Sequence, residues 1–510
     1  MSPRLRFSYR TLPFEVPGSL AVRLFSSSFG GDATPALTWL DSSSGPLRGD
    51  DGRFSILCNS DGPGAREFVY RGEGGFFDEL ASGLGADAGM ELPEGWPCEF
   101  ALGWVGAFGY ELRHDVEPGL EAAPGLEAEA GQAPPRAALI YTTRALVIEH
   151  GVGLHLLTVV DESHPDSLAH ADAQQHWVNW MQDELTRLQK RAPHQLQAPF
   201  DQATFTFRDS RQQYLANIQR CLEYIAAGDS YEVCLTNTAT GPALTEVFTP
   251  LQSGRAQQQE LTPEMSAYLR LREVSPVPYG CFARFPSAGA SGKDLHIVSA
   301  SPERFLRLAA SGEVTAKPIK GTRDGRGVAS PEKEREIARE LAGNPKDRAE
   351  NLMIVDLLRN DLGRVCAPGS VEVPRIFDVE RYSHVFQLVS TVSGRLREGL
   401  AGRGAGAVEL LRACFPGGSM TGAPKLRTME IIEELEGTPR GFYSGAVGWM
   451  SATGAADLNI VIRTLVDDSA RCSFGVGGAI VADSDPAAEW EEIVVKASAL
   501  VEALGARVEE

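Results

Sequence analysis

Residues 443–481 read YSGAVGWM, SATGAA, DLNIVIRTLV, DDSAR and CSFGVGGAIV in succession. Three strand-forming runs, 443–450, 457–466 and 472–481, are joined by short segments of Ser, Thr, Gly, Ala, Asp and Arg. Such connections close hairpins and leave no room for the helix that a parallel crossover requires. This stretch therefore points to an α+β fold rather than a doubly wound parallel sheet.

Working outward, further strands are expected over 232–237, 294–299, 304–308, 314–317 and 386–396, with 137–148 and 153–160 nearer the N-terminus. Helical periodicity marks 167–189, 214–227, 332–341, 347–362, 405–415, 425–436 and 487–504. Ala-, Gly-, Glu- and Pro-rich residues 117–135 read as an exposed loop, 190–203 as a connector and 250–263 as a surface insertion. The expected organisation is an N-terminal region over 1–190 and a catalytic domain over 205–508.

Composition narrows the function. With 43% hydrophobic and 23% charged residues the chain is of globular type. A net charge of −20 argues against nucleic acid and anionic membranes as partners. The N-terminus lacks the apolar core of a signal peptide, and no apolar stretch is long enough to span a bilayer, so a cytoplasmic location is expected. Eight cysteines without a C-x-x-C pair suggest reduced thiols. No histidines stand in an H-x-x-x-H arrangement. A metal, if used, is therefore expected on carboxylates and to be a hard cation such as Mg2+.

The reactive groups gather after residue 220. Lys320 lies in Lys317-Pro318-Ile319-Lys320-Gly321-Thr322, fixed between Pro and Gly at a strand end. Desolvation or a neighbouring cation would depress its pKa and expose its lone pair. Asp347 and Glu350 share one helix face, and Glu489 and Glu492 another that Lys496 extends. Two such faces could supply an all-oxygen Mg2+ site. Arg463 interrupts an apolar strand and is suited to a carboxylate. Glu303 follows Pro302 between two strands, where it serves as a general acid or pairs with Arg304 or Arg307. The turns 416–425 and 474–479 are glycine-rich and can bring backbone N–H groups to an anion.

Together, SPERF (301–305), KPIKGT (317–322), DRAENLMIVDLLRNDLGRV (347–365), YSHVFQLVS (382–390), FPGGSMTGAPK (415–425), GFYSGAVGW (441–449), IRT (462–464) and GGAIVADSDPAAEWEEIVVKA (477–497) resemble the chorismate-utilising enzymes. The resemblance covers roughly Gly228 to Leu504 and is most like aminodeoxychorismate synthase component I. In that family Lys at position 320 distinguishes aminodeoxychorismate synthases from anthranilate synthases, which carry Ala. His384 is more like anthranilate synthase component I, and Ala479 replaces a glycine.

The resemblance implies a two-sheet sandwich flanked by helices, and conversion of chorismate plus ammonia to 4-amino-4-deoxychorismate in p-aminobenzoate and folate biosynthesis. Lys320 is the implied nucleophile and Glu303 the acid. Glu350 and Glu492 would hold Mg2+, with Asp347 and Glu489 behind them through water. Substrate contacts are implied for Gly321, Thr322, His384, Thr421, Tyr443, Arg463, Gly477, Gly478, Ala479 and Lys496. A glutamine amidotransferase subunit is the implied ammonia source; no G-x-C-x-G turn is present, so it is expected on a separate chain. Anthranilate synthase component I and a catalytically silent, amidotransferase-binding relative are the alternatives. Trp39-Leu40-Asp41-Ser42 resembles the family's effector segment, which implies a tryptophan pocket at Ser42, Pro278, Tyr279 and Gly280.

Overall fold

The computed structural model describes residues 5–19, 24, 35–43, 52–84, 92–120, 134–190, 203–247, 262–289, 292–325, 328, 330–382, 385–502 and 504–509. Most of the expected loop 117–135, connector 190–203 and insertion 250–263 lies outside these residues, as does His384.

The N-terminal part contains β1 (Leu5–Leu12), β2 (Leu37–Asp41), β3 (Phe54–Asn59), β4 (Arg66–Tyr70), β5 (Gly103–Phe108), β6 (Ala137–Thr142), β7 (Arg144–Glu149) and β8 (Gly153–Asp161). Its helices are α1 (Phe76–Gly83), α2 (Arg113–Val116) and α3 (Ser167–Gln189). There follow β9 (Thr204–Phe207), α4 (Arg211–Ala227), β10 (Glu232–Pro242), α5 (Leu244–Val247), α6 (Pro263–Val274), β11 (Tyr279–Phe285), β12 (Leu295–Ser301), β13 (Arg304–Leu308), β14 (Glu313–Ala316) and β15 (Ile319–Asp324). Next come α7 (Pro331–Gly343), α8 (Pro345–Gly363), β16 (Glu372–Arg381), β17 (Val385–Arg395), α9 (Gly404–Cys414), β18 (Gly422–Ala423) and α10 (Lys425–Glu436). The chain finishes with β19 (Ala446–Ser451), β20 (Ala456–Ile460), β21 (Thr464–Asp467), β22 (Arg471–Ile480), α11 (Pro486–Glu502) and β23 (Arg507–Glu509).

These strands form two sheets. One has the order β1-β8-β7-β3-β2-β11-β12-β21-β22-β10-β9-β23, with β18 beside β10. The other runs β15-β17-β14-β13-β20-β19-β5-β6-β4, with β16 beside β17. Pairing is antiparallel except between β23 and β9, as the hairpin reading of residues 443–481 requires. N-terminal strands sit inside both sheets: β2 pairs β11 and β5 pairs β19.

The sheets face each other across small and branched side chains, among them Ala107, Ala138, Ala283, Ile297, Val447 and Val461. Trp177, Tyr214, Tyr268 and Trp490 fill the helix-covered outer face of the first sheet. Ile354, Leu358, Val408 and Leu411 pack α8 and α9 on the second. The architecture is the α+β two-sheet sandwich with flanking helices.

Two expectations are corrected here. Residues 457–466 are not one strand: β20 lies in the second sheet and β21 in the first, and Arg463 at the break has φ +50°. Residues 137–148 divide the same way at Thr143, between β6 and β7. β12 and β13 make a third crossing at Pro302-Glu303. Strand propensity is continuous through the first two because both arms are buried strands. What breaks them is the turn from one sheet into the other, which no local signal announces.

Candidate active site

Two of these crossings supply Glu303 and Arg463. Glu303 is 7% exposed and its backbone O accepts from Ile460 N–H at 3.0 Å, which locks one crossing to the other. Burial pushes its carboxyl up to about 7, against the opposing pull of Lys320, the Ser419 hydroxyl, the Ile319 N–H and Arg463. Ser419 thus joins the site; it comes from the glycine-rich turn, where its role was not read. The bland ion pairs suggested for Glu303 go elsewhere: Arg304 pairs with Asp457 at 2.9 Å and Arg307 with Glu99 at 3.3 Å. Arg463 is accessible, and makes no ion pair among the described residues. It is thereby available to a carboxylate ligand.

Lys320 sits within β15 rather than beyond a strand end. Ile319 faces Val389 while Thr322 faces Gln387, so β15 carries one extra residue there. Gly321 has φ +82°, and a Cβ on it would lie 2.6 Å from Asp347 Cγ. This glycine bulge turns Lys320 out of the ladder. The stem is fixed from behind: Pro318 O accepts from Ser390 N–H at 3.2 Å and Asn351 Nδ2 at 3.4 Å.

Lys320 Nζ lies 3.3 Å from Glu232 Oε1 and 4.0 Å from Glu350 Oε2. Each carboxylate at such a distance favours the ammonium by about 4–5 kcal/mol at an effective dielectric of about 20. Burial opposes it: a fully buried group would lose about 3–5 pK units, or roughly 4–7 kcal/mol, and Lys320, whose side chain is 14% exposed, loses less. The pair wins: burial lowers the Lys320 pKa, but Glu232 and Glu350 outweigh it and the net shift is upward. The expectation of a depressed lysine is therefore wrong for the unliganded protein, and a nucleophilic Lys320 requires a base. Glu232 is fully buried and its Oε2 has no hydrogen-bond partner. A glutamate at the head of the apolar run Val233-Cys234-Leu235 was the available signal for it.

The acidic helix faces approach one another across α8 and α11. Lys346 Nζ lies 3.9 Å from Glu350 and 3.5 Å from Glu489. Burial and the neighbouring carboxylates Glu232 and Asp347 raise Glu350 to about 7, against Lys320 and Lys346. Glu492 pairs with Lys496 at 2.7 Å, which overcomes burial and holds its pKa down. Asp347 is turned to Arg323 at 3.0 Å, and Glu489 accepts from Ser484 Oγ at 2.7 Å. Among the described residues, no three of these four bring oxygens within 4.8 Å of each other. A hard cation that keeps several waters suits this spacing and donor set better than a dry cage.

The remaining candidates differ in their surroundings. Thr421 is fully buried, with its hydroxyl donating to Gly417 O and Gly418 O at 3.3 and 3.4 Å. Thr322 is exposed. Lys425, at the end of the glycine-rich turn, is committed to Asp361 at 2.5 Å. Tyr443 is buried against Gly475, where a Cβ would come within 2.3 Å of its ring. Gly475 therefore makes room for Tyr443 rather than for a ligand.

Residues 474–479 do not interrupt β22, which is continuous. Thr236 N–H donates to Glu436 and Cys234 N–H to Thr421 O, each at 2.9 Å, so both residues of β10 face away from β22. Their cross-strand partners Gly477 and Ala479 must then face away from β10. Gly478, opposite Leu235, turns its polar groups to β10. Two of the three expected N–H donors are thus off that ladder. Lys496 donates to Gly477 O at 2.8 Å.

Pro278, Tyr279 and Gly280 line a separate cavity of about 110 Å³ between the sheets, together with Asp41, Arg304, Asp457 and Asn459. Ser42 is buried beside it but does not line it; its N–H donates to Ser55 Oγ.

The family model described as chorismate binding enzyme matches residues 74–502. The chain is 42% identical to an aminodeoxychorismate synthase of Streptomyces griseus over 98% of its own length, and spans 64% of that longer relative. It is 36% identical to aminodeoxychorismate synthase component 1 of Salmonella typhimurium, with 79% of this chain and 77% of that one aligned. Anthranilate synthase component I from Streptococcus pneumoniae superposes with a TM-score of 0.68 over 96% of this chain and 99% of its own, at 24% identity.

Proposed function

Because the chain belongs to the chorismate-binding enzymes, we propose that it converts chorismate and ammonia to 4-amino-4-deoxychorismate. The observation that carries this reading is Lys320, set on a glycine bulge 3.3 Å from Glu232 and within the electrostatic reach of the protonatable Glu303. A partly buried lysine between a base and an acid is equipped for covalent catalysis.

In this mechanism Lys320 gives a proton to Glu232 and its amine adds to C2 of the ring. The ring double bonds shift, the C4–O bond breaks, and Glu303 supplies the proton with which the hydroxyl leaves as water. Ammonia then adds at C4, the double bonds shift back, and the C2–N bond to Lys320 breaks. Glu303 recovers its proton from the new C4 ammonium, and Glu232 returns one to Lys320. Arg463, Tyr443, Lys496 and the Gly477 and Ala479 N–H groups hold the substrate carboxylates. Glu350 and Glu492 are suited to hold Mg2+, with Asp347 and Glu489 further out, and the ion would neutralise the ring carboxylate and polarise the diene.

The test is the product formed from chorismate, Mg2+ and ammonium, read by mass. Aminodeoxychorismate retains the pyruvyl group and supports the assignment. Anthranilate, which has lost it, or binding without turnover overturns it.

Ammonia is proposed to come from a glutamine amidotransferase partner. Relatives named component 1 support a two-component arrangement.

The acid role of Glu303 fixes a pH dependence. A carboxyl raised to about 7 is protonated below that pH and ionised above it. Since the first half-reaction uses the protonated form, kcat/KM for chorismate should fall about tenfold per pH unit above about 7. A profile flat between about pH 6 and 9 would contradict the role.

The inter-sheet cavity is proposed to take an amino acid such as tryptophan. Asp41 and Asp457 offer carboxylates to its ammonium, although both are already engaged, by Arg272 at 2.5 Å and Arg304 at 2.9 Å. Calorimetry with millimolar tryptophan should give a saturable heat; no heat and no thermal shift would dismiss the pocket.

A further inference from the structure

A second polar cluster lies away from the chorismate cleft, on the helix-covered face of the first sheet. Glu264 is in the first turn of α6, His296 is on β12, and Asp467 ends β21. His296 and Asp467 are direct cross-strand partners. The three are 3%, 5% and 0% exposed, and one ligand atom from each lies within 4.8 Å of the others.

Two buried carboxylates need charge compensation. Neither Glu264 nor Asp467 has an ion-pair partner among the described residues. Asp467 is partly served by the backbone N–H groups of Leu244 at 2.6 Å and Ser469 at 2.8 Å. Arg284, beside His296 in the sheet, is within electrostatic reach of Glu264, yet its terminal nitrogen donates to Pro35 O at 2.9 Å. The imidazole adds an independent sign: His296 Nδ1 is buried without a hydrogen-bond partner. Burial also pushes His296 down to about 4, so at neutral pH the ring is uncharged and can ligate.

We propose that Glu264, His296 and Asp467 form a structural site for one divalent transition-metal ion of the zinc class. One imidazole and two carboxylates are a donor set that Zn2+ and Co2+ accept and Mg2+ does not favour. Metal–ligand bonds of about 2.0–2.2 Å need the donor atoms about 3.5 Å apart, which small side-chain rotations provide. The ion would tie α6 to β12 and β21, the strand that begins immediately after Arg463. It is distinct from the Mg2+ proposed for the cleft.

The test uses the full chain, stripped with chelator, saturated with Mg2+ and then given one equivalent of Co2+ or Zn2+. One tightly retained ion per chain, a Co2+ d–d absorption band and a raised unfolding temperature are expected. His296→Gln and Asp467→Asn should lose the ion, whereas Glu350→Gln should retain it. The exposed group His164, Asp166 and His170 is the rival surface site, so the variant His164→Ala/His170→Ala should also retain the ion. If the His296 and Asp467 variants do not fold, the Co2+ spectrum of that surface variant decides. Failure to retain an ion, or loss of it with the surface histidines, overturns the proposal.

Discussion

Lys320→Ala should abolish aminodeoxychorismate formation, with kcat lowered by at least about 1,000-fold, because the covalent route has no other amine. The structure also predicts that folding survives. Lys320 is a partly buried cation among Glu232, Glu350 and Glu303, held on a bulge whose geometry depends on Gly321 and not on the lysine side chain. Removing it leaves the carboxylates less compensated, so more of them will bind protons near neutral pH. The decisive measurement is product analysis of the variant beside its unfolding curve. If ammonia reaches C2 directly, anthranilate replaces aminodeoxychorismate. A second signature concerns the wild type: with chorismate present and ammonia withheld, a covalent adduct should be trapped on Lys320 and found by mass. Undiminished aminodeoxychorismate from the alanine variant would remove Lys320 from the chemistry.

Glu350→Gln and Glu492→Gln should each cost at least about 100-fold in turnover while leaving the unfolding temperature nearly unchanged. The asymmetry follows from their environments. Glu350 is already raised to about 7 by burial and by Glu232 and Asp347, so its ionised form is strained and a neutral isostere relieves repulsion. Glu492 is half-exposed and makes a surface pair with Lys496, worth at most about 1 kcal/mol. Excess chelator should silence the wild type to a similar degree, and added Mg2+ should restore it. Full activity in chelator would refute the cation's role. A drop in stability parallel to the drop in rate would show that these carboxylates are structural.

Much of this was legible before the fold was seen. The spacing of short hairpin connections after residue 443 announced antiparallel sheets, and the motifs around Glu303, Lys320 and Glu350 carry groups that the fold brings near one another. The ionisation of Lys320 was not legible, because it depends on Glu232, which lies 88 residues earlier and meets it only through the sheet. Ser419 escaped for the same reason. The breaks at Thr143 and Arg463 lie inside runs whose side chains favour strands on both sides. Only the pairing partners, which come from distant parts of the chain, decide where such a run must leave one sheet for the other. His296 was passed over because its two carboxylate neighbours lie 32 residues before it and 171 after it in the chain.

The placing of β5 against β19 has a consequence for synthesis. β5, with its apolar Trp104, Val105 and Phe108, leaves the ribosome long before its partner exists. At about 5–20 residues per second, the roughly 340 residues between Phe108 and Ala446 take about 17 to 70 s to make. Through that interval one edge of β5 has no neighbour, and β2 waits similarly for β11. Unpaired apolar edges recruit other nascent chains. Soluble yield should therefore depend on chaperone capacity and translation speed more than on the stability of the finished molecule.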